Sequence, residues 1–274
     1  MTSAKAGWIV LGLMFVAGTA WCQTNAPQAN WWSAPAREDG PSRIVWAARK
    51  NPETPYFGPN KPVWRIADLL KAHAGKQSWD QQVLLNRDFD GHYVSMAAGE
   101  KSKCMFYADD RAFGWIYSGQ VKITIDGQEP KVLSKGWAFN VAPRLAYCLE
   151  TVGSVPAVFF RATPAGQVPS YPEGETPTPV KGYAYEKARI TSTGGYDSTN
   201  QPFFNIDEYG ASDRSGERFL FDGHTSANPR RDVAISQMPP PTDWGHFHAN
   251  MAEAWVVVYG QIDVLISGVG LVHG

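Results

Sequence analysis

"GHFHANMAEAWVVVYGQ", residues 245–261, decides how this chain is read. His246 and His248 stand two apart, Glu253 follows five residues later, and Gly260 seven after that. In a strand, positions i and i+2 project to one face, so both imidazoles aim together while Phe247 faces away. The "ANMA" that follows allows a bend, and "EAWVVVYG" has the composition of a return strand beginning at Glu253. There a carboxylate can reach the point on which the imidazoles converge. Two imidazoles and one carboxylate suit a divalent first-row metal with open positions for a substrate or dioxygen. With only six histidines in the chain, Glu and Gly at these offsets arise by chance in roughly one such sequence in two thousand.

The same frame occurs earlier in the chain. "YSGQVKITIDG" ends at Gly127 and "VYGQIDVLISG" at Gly268, and a shift of 141 residues superimposes them. Gly119 falls on Gly260, and Val121, Ile123 and Ile125 fall on Ile262, Val264 and Ile266. Alternation at period two is what a strand with one buried face requires. Duplication accounts for the match better than coincidence.

Composition fits this reading. The 274 residues carry 25 Lys and Arg against 26 Asp and Glu, so nothing favours nucleic acid or an anionic membrane as partner. With 26 Gly, 20 Pro and 13% aromatic residues, turns and strand formers dominate, and an all-β fold is expected. Lys5 followed by "WIVLGLMFVAGTA" (8–20) reads as an export signal cleaved after Ala20 or Cys22. The run is shorter than the roughly 20 residues a membrane helix needs, so no stable membrane anchor is expected. The exported protein is periplasmic or secreted. Cys104 and Cys148 remain in the mature chain, where an oxidising compartment permits a disulfide; two buried thiols are the other reading.

Residues 23–82 read as an N-terminal arm with one short helix over 65–75, and 164–182 as a Pro-rich linker. These divide a first β-domain (83–163) from a second (183–274). His92 and His224 follow Asp-Gly pairs and read as hairpin residues, and His73 as solvated. Trp115 and Trp255 lie on the strands after the bend, where core packing is the simpler role.

The motif resembles that of the cupin superfamily, usually written G(X)5HXH(X)3,4E(X)6G. His246-x-His248-x4-Glu253-x6-Gly260 fits it, although Pro240 stands at the leading Gly. The resemblance implies two jelly-roll barrels, a bicupin. The first copy, Gly99-x5-Met105-x-Tyr107-x4-Ala112-x6-Gly119, keeps both glycines and has lost all three ligands. The first barrel is therefore expected to be degenerate and metal-free, which disfavours a two-metal oxalate decarboxylase. The family's second motif has a damaged counterpart at "GWAFNVAPRLAYC" (136–148). Its histidine position falls on Tyr147 if Gly136 sets the frame, or on Cys148 if Pro143 does. Cys104 adjoins inward-facing Met105 and should face outward. An inward Tyr147 then makes a Cys104–Cys148 bridge feasible, and the other register separates the two sulfurs.

The second-motif histidine of the second copy would fall near position 288. The second barrel is therefore expected to be a C-terminally truncated reading of a longer domain, and His273 stands too early to be the missing ligand. The resemblance implies one divalent metal on His246, His248 and Glu253, with Fe or Mn favoured over Zn, Ni or Cu. It further implies a small-molecule substrate and a metal-dependent enzyme of the dioxygenase type. The competing reading is a non-catalytic exported cupin binding a small molecule or sugar; a scaffold role through a homodimer is a third.

Overall fold

The computed structural model describes residues 8–14, 56–86, 89–198, 200–210, 216–221, 232–238, 253–266 and 269–273. Strands dominate: β1 (Trp8–Met14), β2 (Trp79–Leu85), β3 (Phe89–Met96), β4 (Ala112–Ser118), β5 (Gln120–Ile125), β6 (Lys131–Ser134), β7 (Trp137–Val141), β8 (Tyr147–Thr151), β9 (Ala157–Pro164) and β10 (Phe203–Asn205). After these come β11 (Gly216–Phe221), β12 (Asp232–Met238), β13 (Glu253–Tyr259), β14 (Asp263–Ile266) and β15 (Gly270–His273). Two short helices, α1 (Ile66–Ala72) and α2 (Ile206–Gly210), complete the described elements. The fold is all-β, as expected, and its strand pairs are antiparallel. The chain divides into two units, Gly58–Ala211 and Met1–Phe57 with Ser212–Gly274.

The first of these units is a jelly roll of two sheets, ordered β10-β7-β4-β9-β3-β2 and β6-β5-β8. Period-two alternation builds its core. Val94, Met96, Ile116 and Phe159 from the larger sheet pack with Val121, Ile123, Leu133 and Leu149 from the smaller one. β4 and β9 are central strands buried on both faces, so Phe113, Trp115, Phe160 and Ala162 are as inaccessible as their neighbours. That explains why "AFGWIYS" and "AVFFRATP" read as near-continuous apolar runs. Trp115 is a core residue, as its sequence context suggested.

Helix α1 lies within the expected 65–75 and buries Leu69. His73 forms its C-cap and stacks on Trp79 with ring centroids 4.5 Å apart, so it is packed rather than solvated. The Pro-rich stretch 164–182 belongs to this same unit rather than joining two bodies. Phe106 and Ser170 form a bridge, the Glu175 carboxylate accepts the Cys104 N–H at 3.1 Å, and Lys103 donates to the Thr176 carbonyl at 2.8 Å. The following residues continue the wrap. The Tyr196 hydroxyl accepts the Ala142 N–H at 3.0 Å and donates to the Asn140 carbonyl at 2.9 Å, and β10 then extends the sheet beside β7. A segment without apolar periodicity attaches here through polar groups, which a periodicity search does not see.

In the other unit a sheet of order β11-β12-β1-β13 accompanies the hairpin β14-β15. β4 and β13 coincide residue for residue under the shift of 141: Ala112 falls on Glu253 and Ser118 on Tyr259. The hairpins share a register as well, since Lys122 faces Val132 in one and Asp263 faces His273 in the other. β12 and β13 flank β1 antiparallel, as β3 and β4 flank β9. The first seven residues of the apolar run read as an export signal, Trp8–Met14, thus pair in this unit's sheet as β9 does in the other.

Candidate functional site

The metal motif is described only in part. His246 and His248 lie outside the described residues, and Glu253 is located by its backbone as the first residue of β13. The sequence placed Glu253 at the start of the return strand, and the strand begins there. Gly260 follows β13 with φ 88° and Gly119 follows β4 with φ 76°, so both copies need a left-handed residue at the turn. At Gly119 a Cβ would also stand 2.6 Å from the Ala157 Cα. Each of the two turns is suited to its glycine. His273 lies in β15, exposed, with Nδ1 2.7 Å from the Asp263 carboxylate. Among the described residues, no group of three or more His, Cys, Asp and Glu side chains is placed to hold a metal ion.

In the first copy the corresponding positions are fully visible. Met105 and Tyr147 form a bridge with reciprocal backbone bonds of 3.0 and 2.9 Å, so the segments carrying the two motif-like stretches meet there. Tyr147 belongs to the core cluster and is 2% exposed, which sets the register on Gly136. Cys148 then faces the opposite side and is bonded to Cys104, with Cα atoms 4.4 Å apart. Of the two registers open in the sequence, the structure takes the one that permits the disulfide. Ala112 and Tyr107 are buried at the remaining ligand positions. A thioether, two phenols and a methyl group thus stand where the motif calls for imidazoles and a carboxylate.

Beside these positions lies a polar group that the sequence reading passed over. His92 lies in the β2-β3 hairpin, but the Asp90-Gly91 pair before it is strand rather than turn; it sits mid-strand in β3, opposite Gln82 of β2 and Arg161 of β9. Its Nδ1 bonds the Asp80 carboxylate, its Nε2 lies 2.8 Å from Asp90, and Arg161 Nη2 donates to Asp80 at 3.2 Å. Burial alone would lower the imidazole's pKa, but the two carboxylates outweigh it and raise it to about 9. Burial likewise pushes Asp90 up, and hydrogen bonds from His92 and Gln82 outweigh it, holding the carboxyl below its usual range. At neutral pH the group is an imidazolium between two carboxylates, with a guanidinium alongside.

The signal for this cluster was present in "DGHYVSM". Asp90, His92, Val94 and Met96 alternate onto one face, and Val94 and Met96 belong to the barrel core. The Asp-Gly pair suggested a turn, and the alternation was the better guide. Burial raises the pKa of Tyr107 and Tyr147, and Arg161 acts on both in the opposite sense. Tyr107 also shares a hydrogen bond with Thr163.

No family model matches this chain, and no curated protein matches it. Solved structures do match. A double-stranded β-helix protein of Klebsiella pneumoniae is 12% identical over 41% of this chain and 92% of its own, with a TM-score of 0.36. An RmlC-like cupin of Shewanella frigidimarina is 15% identical over 34% of this chain and 81% of its own, with a TM-score of 0.30. An oxalate decarboxylase of Bacillus subtilis is 12% identical; the match covers 34% of this chain and 26% of that one, with a TM-score of 0.31.

Proposed function

We propose that this chain is an exported bicupin that holds one divalent metal in its second barrel through His246, His248 and Glu253. The observation that carries the reading is the repeat. β13 begins at Glu253 where β4 begins at Ala112, and the hairpins that follow share one register. A strand pair of matching frame presents residues of the two copies alike, so the intact triad of the second copy keeps the chemistry that the first has lost. The donor set fits the ion: two neutral imidazoles and a carboxylate leave positions open on Fe or Mn. Such an ion would supply Lewis acidity toward an oxygen-bearing substrate and a place for dioxygen. We assign the chain to metal-dependent oxidoreductases of the dioxygenase kind, acting on a small organic molecule.

Elemental analysis of the purified full chain, with turnover measured before and after chelation, tests this assignment. Stoichiometric metal, with activity lost on chelation and restored by Fe or Mn, supports it. Metal without turnover, or sugar binding indifferent to metal, favours the non-catalytic alternative. Export is tested by the mass of the protein recovered outside the cytoplasm. A chain starting after Ala20 or Cys22 supports it. Retention of Trp8–Met14 would keep β1 in its sheet and contradict cleavage.

A further inference from the structure

We infer that the Arg189–Ile190 bond is a processing site for an arginine-specific endopeptidase, and that the cut protein stays together as two chains. The inference rests neither on export nor on the proposed metal site. Residues 181–193 are exposed without a break, and over 183–193 the chain runs without helix, strand or turn. Among the described residues, the Tyr183 N–H, bonded to the Val180 carbonyl at 3.1 Å, is the one backbone group of 181–193 paired with another. A protease cleft holds extended substrate by backbone bonds, so a segment whose amides are unpaired enters without first unfolding. Side chains tether the stretch at both ends and leave its middle alone. Upstream, the Tyr185 hydroxyl donates to the Pro169 carbonyl at 3.3 Å and Lys187 pairs with Glu173 at 2.9 Å. Downstream, Arg144 donates to the Ser192 hydroxyl at 2.9 Å and the Gly194 N–H to the Pro143 carbonyl at 2.8 Å. Ala188, Arg189, Ile190 and Thr191 lie between, and none of them makes a hydrogen bond, ion pair or ring contact among the described residues.

Arg189 sets the specificity, because its guanidinium stays charged and suits a pocket lined by a carboxylate. Other arginines of this unit are engaged: Arg111 donates to Asn200, Arg144 to Ser192, and Arg161, within β9, to Asp80. Lys181 sits in the turn closed by Val180 and Tyr183, and Lys187 is held by Glu173. Hydrolysis breaks the Arg189–Ile190 amide, water giving its hydroxyl to the Arg189 carbonyl carbon and its proton to the Ile190 nitrogen. Both sides of the cut keep their hold on the first barrel. The piece ending at Arg189 stays through the Phe106–Ser170 bridge and the bonds of Glu175 and Thr176. The piece beginning at Ile190 stays through Gly194, Tyr196 and β10, which pairs with β7. Cys104 and Cys148 both lie upstream, so no disulfide joins the two pieces.

Limited digestion of the native full chain with trypsin, sampled over time and read by intact mass and N-terminal sequencing, tests the assignment. The first cut should give a piece beginning Ile190-Thr191-Ser192. The two pieces should co-elute on gel filtration in buffer and separate in urea without reductant. Arg189→Gln should slow loss of the intact chain about tenfold or more, because the specificity pocket loses its cation. The same variant should melt as the parent does, since Arg189 has no partner to lose among the described residues. A first cut at any other bond, Lys187–Ala188 included, overturns the inference. Loss of the intact Arg189→Gln chain at the parent's rate, or pieces that part in buffer, overturns it as well.

Discussion

His92 shows how one side chain couples the fold to pH. Its folded pKa, about 9, lies above the unfolded value of roughly 6.5, so the contribution is fully present below the unfolded value and is lost as pH rises through the folded one. The ceiling on this contribution is about 3 kcal/mol. Asp90, held below its usual range, acts at the other end, and its contribution is lost as pH falls through its folded value. Urea unfolding from pH 6.5 to 9.5 should therefore show a decline in stability that His92→Gln largely lacks. Equal slopes for the two proteins would show that the network carries no such linkage. Gly114 presents a steric case at the same scale. A Cβ there would overlap the fully buried Phe139 ring and approach the Phe160 carbonyl to 3.0 Å. Gly114→Ala should cost about 1–3 kcal/mol in urea unfolding, and an unchanged midpoint would mean that the ring can move.

Elements are tied together where the two motifs meet. The Cys104–Cys148 disulfide joins the segment before β4 to β8 across a sequence separation of 44. In the chain-entropy model a loop of that size contributes about 4 kcal/mol. The Cys104→Ser/Cys148→Ser double variant should lose stability of that order, and reduction of the parent protein should reproduce the loss. A double variant with unaltered unfolding would mean that the loop is already constrained by other bonds. Glu175 and Thr176 provide one such constraint, since they hold Cys104 and Lys103 directly. A Glu175→Gln variant separates the two contributions.

At the scale of the whole molecule, the repeat was legible in sequence because its glycines and alternating apolar residues answer to strict backbone rules. Gly119 and Gly260 share a left-handed turn, and Val121, Ile123 and Ile125 share one buried face. The disulfide could be framed but not decided, because one residue of register reverses every side chain of β8. The His92 cluster stayed hidden for a different reason. Asp80, His92 and Arg161 are far apart in sequence and meet only through the pairing β2-β3-β9. The Pro-rich stretch escaped likewise, because polar bonds rather than a periodic apolar face attach it to the first barrel. Of the metal triad, Glu253 is placed at the head of its strand, while His246 and His248 lie outside the described residues.

That triad carries the central claim, and metal content tests it most directly. The full chain, purified without added chelator or affinity metal, should retain close to one equivalent of Fe or Mn. His246→Ala and Glu253→Gln should each retain a small fraction of that while melting cooperatively. A full chain without stoichiometric metal, or a His246→Ala variant that holds as much as the parent, would contradict the assignment.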